Sequence, residues 1–505
     1  MNLTLVNGCV RPGPDFSRRM DTLTVRDGLV ARNEAPGAEC GDSHAAERID
    51  LRGACVLPGF IDTHLHLMAT GVGLSALSLA EATSVAQVLD LLREAPSGDS
   101  EWVVAGGLDE SKLADGRLPT RDELDSVQPR RPLFVDDRGL HYALLNSPAW
   151  RRLDPSGALL GPHLDARGGA RLSEGASGVA RKALAGVMER SARRAALLRG
   201  AELAVSVGLT SVHAIEGGEL FSDDDFEVVL ENLDRLPLHV LPFWSTDDVQ
   251  RVSARGLVRM GGDILCDGSL GARTAALLEN YLDRPAWRGE HLRDSTAIQA
   301  LIARAEESQI QVGLHAIGDR AVREALLGIE AALAGGPNRL RHRIDHFGIV
   351  AAQDLERAAR LQVAIATQPS FMAMRGGPGG VYEQRLGPER VRRTYPLRDF
   401  LSAGLHVGGG SDSPVGPIAP LVGIQSALLH PIPDQRVDLS TALRLYLSEA
   451  AWLGGEEHQR GTLEPGKSAD FVILARDPFT VPADEVAQIP ILATYVAGQR
   501  VFGTL

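Results

Sequence analysis

Hydrophobic and polar positions along the chain alternate between two kinds of segment. Short runs of apolar, often β-branched residues are followed by longer stretches rich in Ala, Leu, Glu and Arg, which is the pattern of parallel βα units. These runs predict eight strands, at residues 56–67, 209–214, 238–244, 262–266, 311–316, 343–347, 363–368 and 406–412. Eight parallel strands are enough to close a barrel, so the predicted fold is an α/β protein of the (β/α)8 TIM-barrel type.

The two ends of the chain follow a different pattern. Both contain short apolar segments separated by turn residues such as Asp27-Gly28 and Pro465-Gly466, which predict short strands joined by tight turns. Neither end has enough strands for an independent sheet. We therefore expect residues 1–57 and 456–505 to form one composite β-sandwich beside a barrel domain of residues 58–455.

Residues from 68 to about 200 are too many for a single connection between the first two barrel strands. The segment has apolar runs of its own, near residues 102–106 and 131–135, and a Gly-rich stretch that ends near residue 178. We expect an inserted subdomain after the first strand. Its size suits a lid or a substrate pocket above the mouth of the barrel.

Ionisable residues stand at the ends of four predicted strands. His64 and His66 end the first strand, and because side chains alternate along a strand both imidazoles should point the same way. Neutral imidazole is a common zinc ligand, although a His-x-His pair alone is weak evidence. His315, His346 and Asp412 end strands five, six and eight. The C-terminal strand ends of a barrel meet at one mouth, so these residues are expected to converge on one metal site.

Composition and charge limit the possible partners. The chain of 505 residues has a formal net charge of -13, which argues against a surface for nucleic acid or anionic membranes and leaves a small-molecule substrate. No apolar run approaches the length of a membrane span, and the N-terminus lacks a signal-peptide pattern, so a cytoplasmic protein is expected. The 4 cysteines have no Cys-x-x-Cys spacing and predict neither a disulfide framework nor a thiolate zinc site.

Nearly the whole chain resembles the amidohydrolase superfamily, and more narrowly its YtcJ-like branch (amidohydrolase 3 type), which includes N-substituted formamide deformylases. The likeness rests on motifs that are specific in combination. They are Pro58-Gly-Phe-Ile-Asp-Thr-His-Leu-His66, Arg117-Leu-Pro-Thr-Arg-Asp-Glu-Leu-Asp125, Asp267-Gly-Ser-Leu-Gly-Ala-Arg-Thr-Ala275, His315-Ala-Ile-Gly-Asp319, Gly410-Ser-Asp-Ser-Pro414 and Gly466-Lys-Ser-Ala-Asp-Phe471.

The resemblance implies a metal-dependent hydrolase in which the four histidines and Asp412 surround one or two divalent ions, with zinc the first expectation. Such an ion lowers the pKa of bound water and polarises a carbonyl group. Asp412 would take the proton of the water and pass it to the leaving nitrogen. The expected reaction is hydrolysis of a non-peptide amide or formamide-type C–N bond. A deaminase on the same site is the enzymatic alternative, and an inactive metal-binding or regulatory relative is the alternative of another class.

One position departs from the family pattern. Members with two ions commonly bridge them with a carboxylated lysine, which in this branch stands four residues before the Asp of the Asp-Gly-Ser-Leu-Gly motif. Counting back from Asp267 gives Asp263, and Lys112, Lys182 and Lys467 lie elsewhere in the chain. An aspartate keeps the negative charge of a carbamate but has a much shorter reach. The change also gives some support to the inactive alternative, which the intact histidines and aspartate of the site oppose.

Two arrangements of the site follow. In the first, Asp263 bridges two ions. In the second, one ion is held by the histidines of strands one and five together with Asp412, while His346 bonds the water or the substrate and Asp263 is a supporting carboxylate. The sequence slightly favours the single ion. Relatives are commonly homodimers, which adds a homodimer to the expectations.

Four further residues are weaker candidates for substrate binding. His141 and Asn146 lie in a His-containing motif of the branch within the insertion, and a structural role for each is equally compatible with the sequence. Arg273 follows the fourth strand, where it would meet an anionic group or pin a loop. Gln368 ends the seventh strand.

Overall fold

The computed structural model of the chain describes residues 2–31, 47–95, 101–139, 142–154 and 171–504. Its centre is an eight-stranded parallel sheet in which each strand is hydrogen-bonded to the next one along the chain. The strands, numbered here as barrel strands only, are β1 (Phe60–Leu65), β2 (Leu209–Glu216), β3 (His239–Trp244), β4 (Arg259–Leu265), β5 (Gln311–Ala316), β6 (Arg343–His346), β7 (Ala364–Thr367) and β8 (Val407–Gly409).

The first and last strands lie side by side, so the sheet curls into a nearly closed barrel. The backbone N–H of Asp412, just beyond β8, donates to the carbonyl of His64 at 2.8 Å. A Cβ atom on Gly408 would lie only 2.6 Å from Cγ2 of Thr63. Glycine at this position therefore lets the two strands approach, and the TIM-barrel prediction is confirmed.

Helices cover the outside of the barrel and bury an apolar core against the strands. Several begin at a side-chain cap; for example, Asp294 accepts a hydrogen bond from the N–H of Ala297. The helices around the barrel are Arg190–Ser206, Asp223–Asn232, Val249–Ala254, Ser295–Glu307, Asp319–Leu333, Ala352–Leu361, Leu397–Ser402, Pro420–Leu428, Leu439–Leu445 and Ser448–Leu453. The connection after β7 contains Pro369–Arg375, Val381–Leu386 and Pro388–Val391.

Both ends of the chain contribute to a composite β domain, as predicted. One sheet contains Leu3–Val6, Leu23–Arg26, Leu29–Val30 and Glu47–Asp50. The other contains Cys9–Val10, Cys55–Pro58, Phe471–Leu474, Ile491–Val496 and Gln499–Gly503. The two sheets share one apolar core that includes Leu5, Val25, Phe471 and Tyr495. Burial of the facing apolar sides is what holds the two ends of the chain together.

The predicted first strand, residues 56–67, is divided in the structure. Its first part belongs to the composite β domain, and its second part is β1. The division falls at Gly59, whose N–H donates to the carbonyl of Asp470 in the β domain, whereas the N–H of Phe60 donates to Gly208 in the barrel. The continuous apolar run concealed this boundary because both halves are buried.

The insertion is a subdomain built on a five-stranded sheet. Its strands are Leu77–Ser78, Val103–Leu108, Leu133–Asp137, Tyr142–Leu145 and Arg171–Ser173, and its helices are Val85–Arg93, Arg121–Val127, Ser147–Leu153 and Glu174–Val187. Helix Leu67–Gly73 leads into it from β1 and crosses helix Arg190–Ser206 closely. A Cβ on Gly71 would lie 1.8 Å from the carbonyl oxygen of Ala196. This close crossing fixes the point from which the subdomain leaves the barrel.

In the part of the chain that the structure describes, no helix combines the length and the apolar character needed to cross a membrane.

Candidate active site

His64 and His66 lie at the C-terminal end of β1 and are almost fully buried. The Nδ1–H of His64 donates to Asp345 Oδ1 at 2.8 Å, and that of His66 donates to the carbonyl of Ile215 at 2.9 Å. Each ring is therefore held from behind, and its Nε2 atom faces the mouth of the barrel. Histidines that bind a metal through one ring nitrogen usually donate the other ring N–H to a carboxylate or a backbone carbonyl in this way.

Asp412, beyond β8, faces the same two imidazoles. Its Oδ1 atom lies 3.1 Å from Nε2 of His66 and 3.4 Å from Nε2 of His64. Its backbone is in the left-handed region, with φ +55°. Non-glycine residues occupy this region at a cost, and such residues cluster at functional sites.

Asp263 belongs to β4, and its carboxylate lies near histidines of both β1 and β5. Its carboxylate oxygens are 3.3 Å from Nε2 of His66, 3.7 Å from Nε2 of His64 and 3.5 Å from Nδ1 of His315. The backbone explains how so short a side chain reaches this position. Gly261 pairs with Gly313 and Ile264 with the next residue of β5, so Gly262 and Asp263 form a bulge that has no partner in β5.

His315 and His346 complete the cluster from β5 and β6. Their ring centroids are 4.5 Å apart. The Nδ1–H of His346 donates to Oε1 of Gln368 at 2.8 Å, which leaves Nε2 of His346 free to face the cluster. His346 has φ +68°, and this turn of the backbone is what aims its side chain at the mouth.

The cluster contains several ligand atoms that could hold a metal. Within the described residues, His64 Nε2, Asp263 Oδ2 and His315 Nδ1 are buried and accept or donate no hydrogen bond. Mutually close ligand atoms form three overlapping groups, which are His64, His66 and Asp263; His64, His346 and Asp412; and Asp263, His315 and His346. The structure thus brings together all six residues proposed as ligands from the sequence.

Burial and charge act against each other on the pKa values of the cluster. Burial alone would lower the pKa of His64, but the carboxylates of Asp345 and Asp412 hold it well above its ordinary value. Burial would also lower the pKa of His315, but the carboxylate of Asp263 raises it to about 9. Burial, together with the charge of His315, lowers the pKa of His346 to about 3.

The two cluster carboxylates are ionised. Burial would raise the pKa of Asp412, but the close imidazoles of His64 and His66 hold it well below the ordinary value. The pKa of Asp263 is also lowered, because the charges of His66, His64 and His315 outweigh its burial. Both aspartates are therefore anionic at neutral pH, as metal ligands or a general base must be.

An ion pair inside the barrel supports His64 and was missed in the sequence. Arg343 and Asp345 are both fully buried, and the guanidinium Nε–H donates to Oδ2 of Asp345 at 3.1 Å. Arg343 also donates to Nδ1 of His213 at 3.0 Å. The two charged residues have the i, i+2 spacing of one strand face and precede His346, which is the signal that could have revealed them.

Two other buried aspartates near the cluster have structural roles. Asp62 accepts hydrogen bonds from the N–H groups of His64 and Ser411, which ties β1 to the loop after β8. Asp267 accepts from the N–H groups of Ala276, Ile317 and Gly318 at 2.7–3.0 Å, and so joins the loops after β4 and β5.

The four candidates for substrate binding have different surroundings. Asn146 is fully buried and uses its amide on four backbone groups of the inserted subdomain, including the cap of helix Ser147–Leu153. Arg273 pairs with Asp283 at 2.9 Å. Gln368 contacts His346 rather than open space. His141 lies outside the described residues. The contacts of Asn146 and Arg273 are those of structural side chains.

Two cavities with shared lining residues lie where the insertion meets the barrel. The first, of about 410 Å³, is mainly apolar and lies between the barrel and the insertion; its lining includes Met68, Val72, Leu77, Phe134, Leu184 and Phe221. The Phe221 ring is 4.8 Å from that of His66. The second, of about 500 Å³, is polar and borders the loop after β4 and helix Pro369–Arg375. Asp137 and Arg138 line both cavities.

Sequence comparison agrees with this geometry. The sequence model of the Amidohydrolase family matches residues 47–502, which include every member of the cluster. The chain belongs to the amidohydrolase family. Membership accounts for the motifs at the ends of β1, β5 and β8, where the strands of the barrel carry the histidines and Asp412.

Individual relatives match over almost their whole length. YtcJ of Bacillus subtilis is 29% identical over 518 residues, covering 96% of each chain. N-substituted formamide deformylase of Arthrobacter pascens is 26% identical over 542 residues, covering 98% of this chain and 97% of its own. The crystal structure of an uncharacterized metal-dependent hydrolase from Pyrococcus furiosus is 29% identical, with a TM-score of 0.77, and the match covers 95% of this chain and 100% of that one.

Proposed function

We propose that the protein is a metal-dependent hydrolase that cleaves a non-peptide C–N bond of the amide or formamide type. The observation that carries the proposal is the convergence of four buried histidines and two ionised aspartates on one point of the barrel mouth. Leaving so many polar atoms buried without partners would be costly unless they have a ligand. The similarity to a formamide deformylase supports the bond type.

The residues of the cluster fit a divalent metal. Imidazole nitrogens and carboxylate oxygens are ligands that zinc accepts, and they also suit iron, manganese and cobalt. The histidines of β1 and His346 each donate the other ring N–H to a fixed acceptor, which leaves one nitrogen for a metal. A bound ion would supply Lewis-acid activation of water and of the substrate carbonyl.

The position of Asp263 supports two ions rather than one. Its carboxylate belongs to two of the three ligand groups, the one with the histidines of β1 and the one with His315 and His346. A carboxylate in both groups can serve as the shared ligand that a carboxylated lysine supplies elsewhere. We therefore propose that Asp263 would be a ligand of two ions, in place of the single ion that the sequence slightly favoured.

Asp412 is the proposed general base. It is ionised and buried, and a fixed backbone holds its carboxylate against the histidines of β1. In hydrolysis it would accept a proton from the attacking water and deliver that proton to the leaving nitrogen. His346 is the proposed second catalytic group, because its low pKa keeps the imidazole neutral and available as a ligand or a hydrogen-bond partner of the substrate.

The apolar cavity supports a substrate with a hydrocarbon substituent. It begins at Met68 and Ser413, next to His66 and Asp412, and continues between the barrel and the insertion. Apolar side chains there would bind an alkyl or aryl group by removing it from water. N-alkyl and N-benzyl formamides and acetamides have this form.

The test is turnover of these amides by protein loaded with zinc, manganese, cobalt or ferrous iron. Release of an amine together with formate or acetate would support the proposal. Release of ammonia from cyclic amines, with the ring retained, would instead identify the deaminase alternative. If the metal-loaded protein turned over no member of either panel, the proposed reaction would be wrong.

A further inference from the structure

We propose that the polar cavity binds an anionic group of the substrate through Arg138 and Arg375, so that the substrate is an amide that also carries a carboxylate. The inference rests on the proposed function, because it assigns a second recognition site to the same substrate. Arg138 comes from the inserted subdomain, and Arg375 comes from the helix after β7. An anion bound there would therefore join the insertion to the barrel.

Both arginines line the cavity without an acidic partner. Neither guanidinium makes a hydrogen bond or an ion pair with any residue that the structure describes, whereas the guanidinium groups of most arginines facing this cavity do. Each is half-buried. Arg138 is also repelled by Arg375, which, after burial, is the main cause that lowers the pKa of Arg138. Two like charges are thus held near each other, and neither is within ion-pair distance of a described carboxylate, although Asp109 and Glu81 attract Arg138 from farther away.

The other cations of the cavity already have partners. Arg273 and Arg385 share Asp283. Arg171 pairs with Glu110 at 3.4 Å. A further lysine of the lining, Lys112, donates to the carbonyl of Ala80 at 2.7 Å. Among the described residues, Arg138 and Arg375 are therefore the cations of this cavity that lack a direct partner.

Aromatic contacts connect this charge to the reaction site. The guanidinium of Arg375 lies over the ring of Phe371, with its carbon 5.9 Å from the ring centroid. That ring is nearly parallel to the imidazole of His346, with centroids 6.4 Å apart. A substrate amide at the cluster could therefore extend past Phe371 and present an anion to Arg375.

The remaining charges of the cavity favour a single negative charge. Asp109, Glu110 and Asp137 also line it and would repel a dianion such as a phosphate monoester. A carboxylate is planar and accepts hydrogen bonds from guanidinium groups in a matching geometry. N-acyl or N-formyl amino acids with an apolar chain combine this group with the amide and the hydrocarbon part.

The first test compares N-formyl-6-aminohexanoate with N-formyl-6-aminohexan-1-ol, and the corresponding N-acetyl pair, on the metal-loaded enzyme. We expect kcat/KM to be higher for the acids by about tenfold to hundredfold, mainly through KM. R138Q and R375Q should each lose this preference, with kcat/KM falling much more for the acids than for the alcohols. R171Q is the matched control, because this arginine lines the same cavity but is already paired, and it should keep the preference. Equal kcat/KM for acid and alcohol in the wild type would overturn the proposal.

Calorimetric binding of 6-phenylhexanoate and 6-phenylhexan-1-ol to the same metal-loaded proteins tests the site without turnover. Tighter binding of the acid in the wild type and in R171Q, but not in R138Q or R375Q, supports it. A preference that all four proteins share would show that the carboxylate binds at the metal cluster, and no preference in any protein would show that the arginines bind no anion; both results overturn the proposal. Acid-selective binding without turnover of any amide would instead contradict only the proposed reaction.

Discussion

Two buried clusters of potential metal ligands, one at the barrel mouth and one in the composite β domain, differ in what surrounds them. The second cluster consists of Cys9, Cys55 and Asp477. Its carboxylate is bound by Arg11, whose Nε–H and an Nη2–H donate at 3.0 Å and 2.7 Å, and the thiol of Cys9 lies 3.5 Å from the same carboxylate. Arg11 also lies over the ring of Phe479.

The comparison shows that residue type and burial alone do not define a site. In the β domain the cation that balances the buried aspartate is an arginine of the protein itself. At the barrel mouth, in contrast, His64 and His315 each keep a buried nitrogen with no hydrogen bond to any described residue, and Asp263 keeps such an oxygen. The β-domain cluster is complete as a structural ion pair, and the barrel cluster still needs a ligand.

The largest expected effect comes from the barrel cluster. D412N removes the proposed base while keeping the shape of the side chain. We expect kcat to fall by about a hundredfold to ten-thousandfold, because this is the range that general acid–base catalysis contributes. Metal content, measured by elemental analysis, should stay near that of the wild type. Normal turnover by D412N on any substrate that the wild type hydrolyses would remove Asp412 from the mechanism.

A smaller effect is expected from the residue behind His64. D345N keeps a hydrogen-bond acceptor but removes the charge that faces Nδ1 of His64. Metal affinity or kcat should fall by about tenfold to a hundredfold, as is usual when the outer partner of a ligand histidine is changed. Chelator competition measures the affinity. Unchanged affinity and unchanged kcat would make the Arg343–Asp345 pair a purely structural feature.

No effect on activity is expected from the cluster in the β domain. D477A leaves Arg11 buried without its carboxylate, and breaking a buried pair in this way costs about 3–5 kcal/mol of unfolding free energy. Chemical denaturation measures this loss. Metal content and kcat of the folded protein should equal those of the wild type, and a loss of bound metal would show that this cluster is also a metal site.

The fold was largely predictable because its strands carry strong apolar patterns. The eight barrel strands and the composite sheet were found from periodicity and turn residues. The division of residues 56–67 at Gly59 was not predicted, since burial is continuous across it. The internal order of the insertion was also not predicted, because its sheet contains both parallel and antiparallel pairs joined by irregular loops.

The part of the site that depends on strand alternation and on sequence motifs was predictable. The histidines of β1 and the ends of β5 and β8 follow from position alone. The role of Asp345 does not follow from position, because strand alternation places its side chain on the opposite face from that of His346. Only the left-handed backbone of His346 brings both side chains to the cluster. The reach of Asp263 depends on the bulge at Gly262 and Asp263, which cannot be deduced from the residue types.

The central claim is that the barrel cluster holds two divalent ions that share Asp263, and counting metals tests it most directly. Protein prepared without chelator and loaded with zinc should contain close to two ions per chain. The D263A variant should retain at most one, while D477A should retain two. One ion per chain in the wild type, unchanged in D263A, would contradict the shared-ligand account.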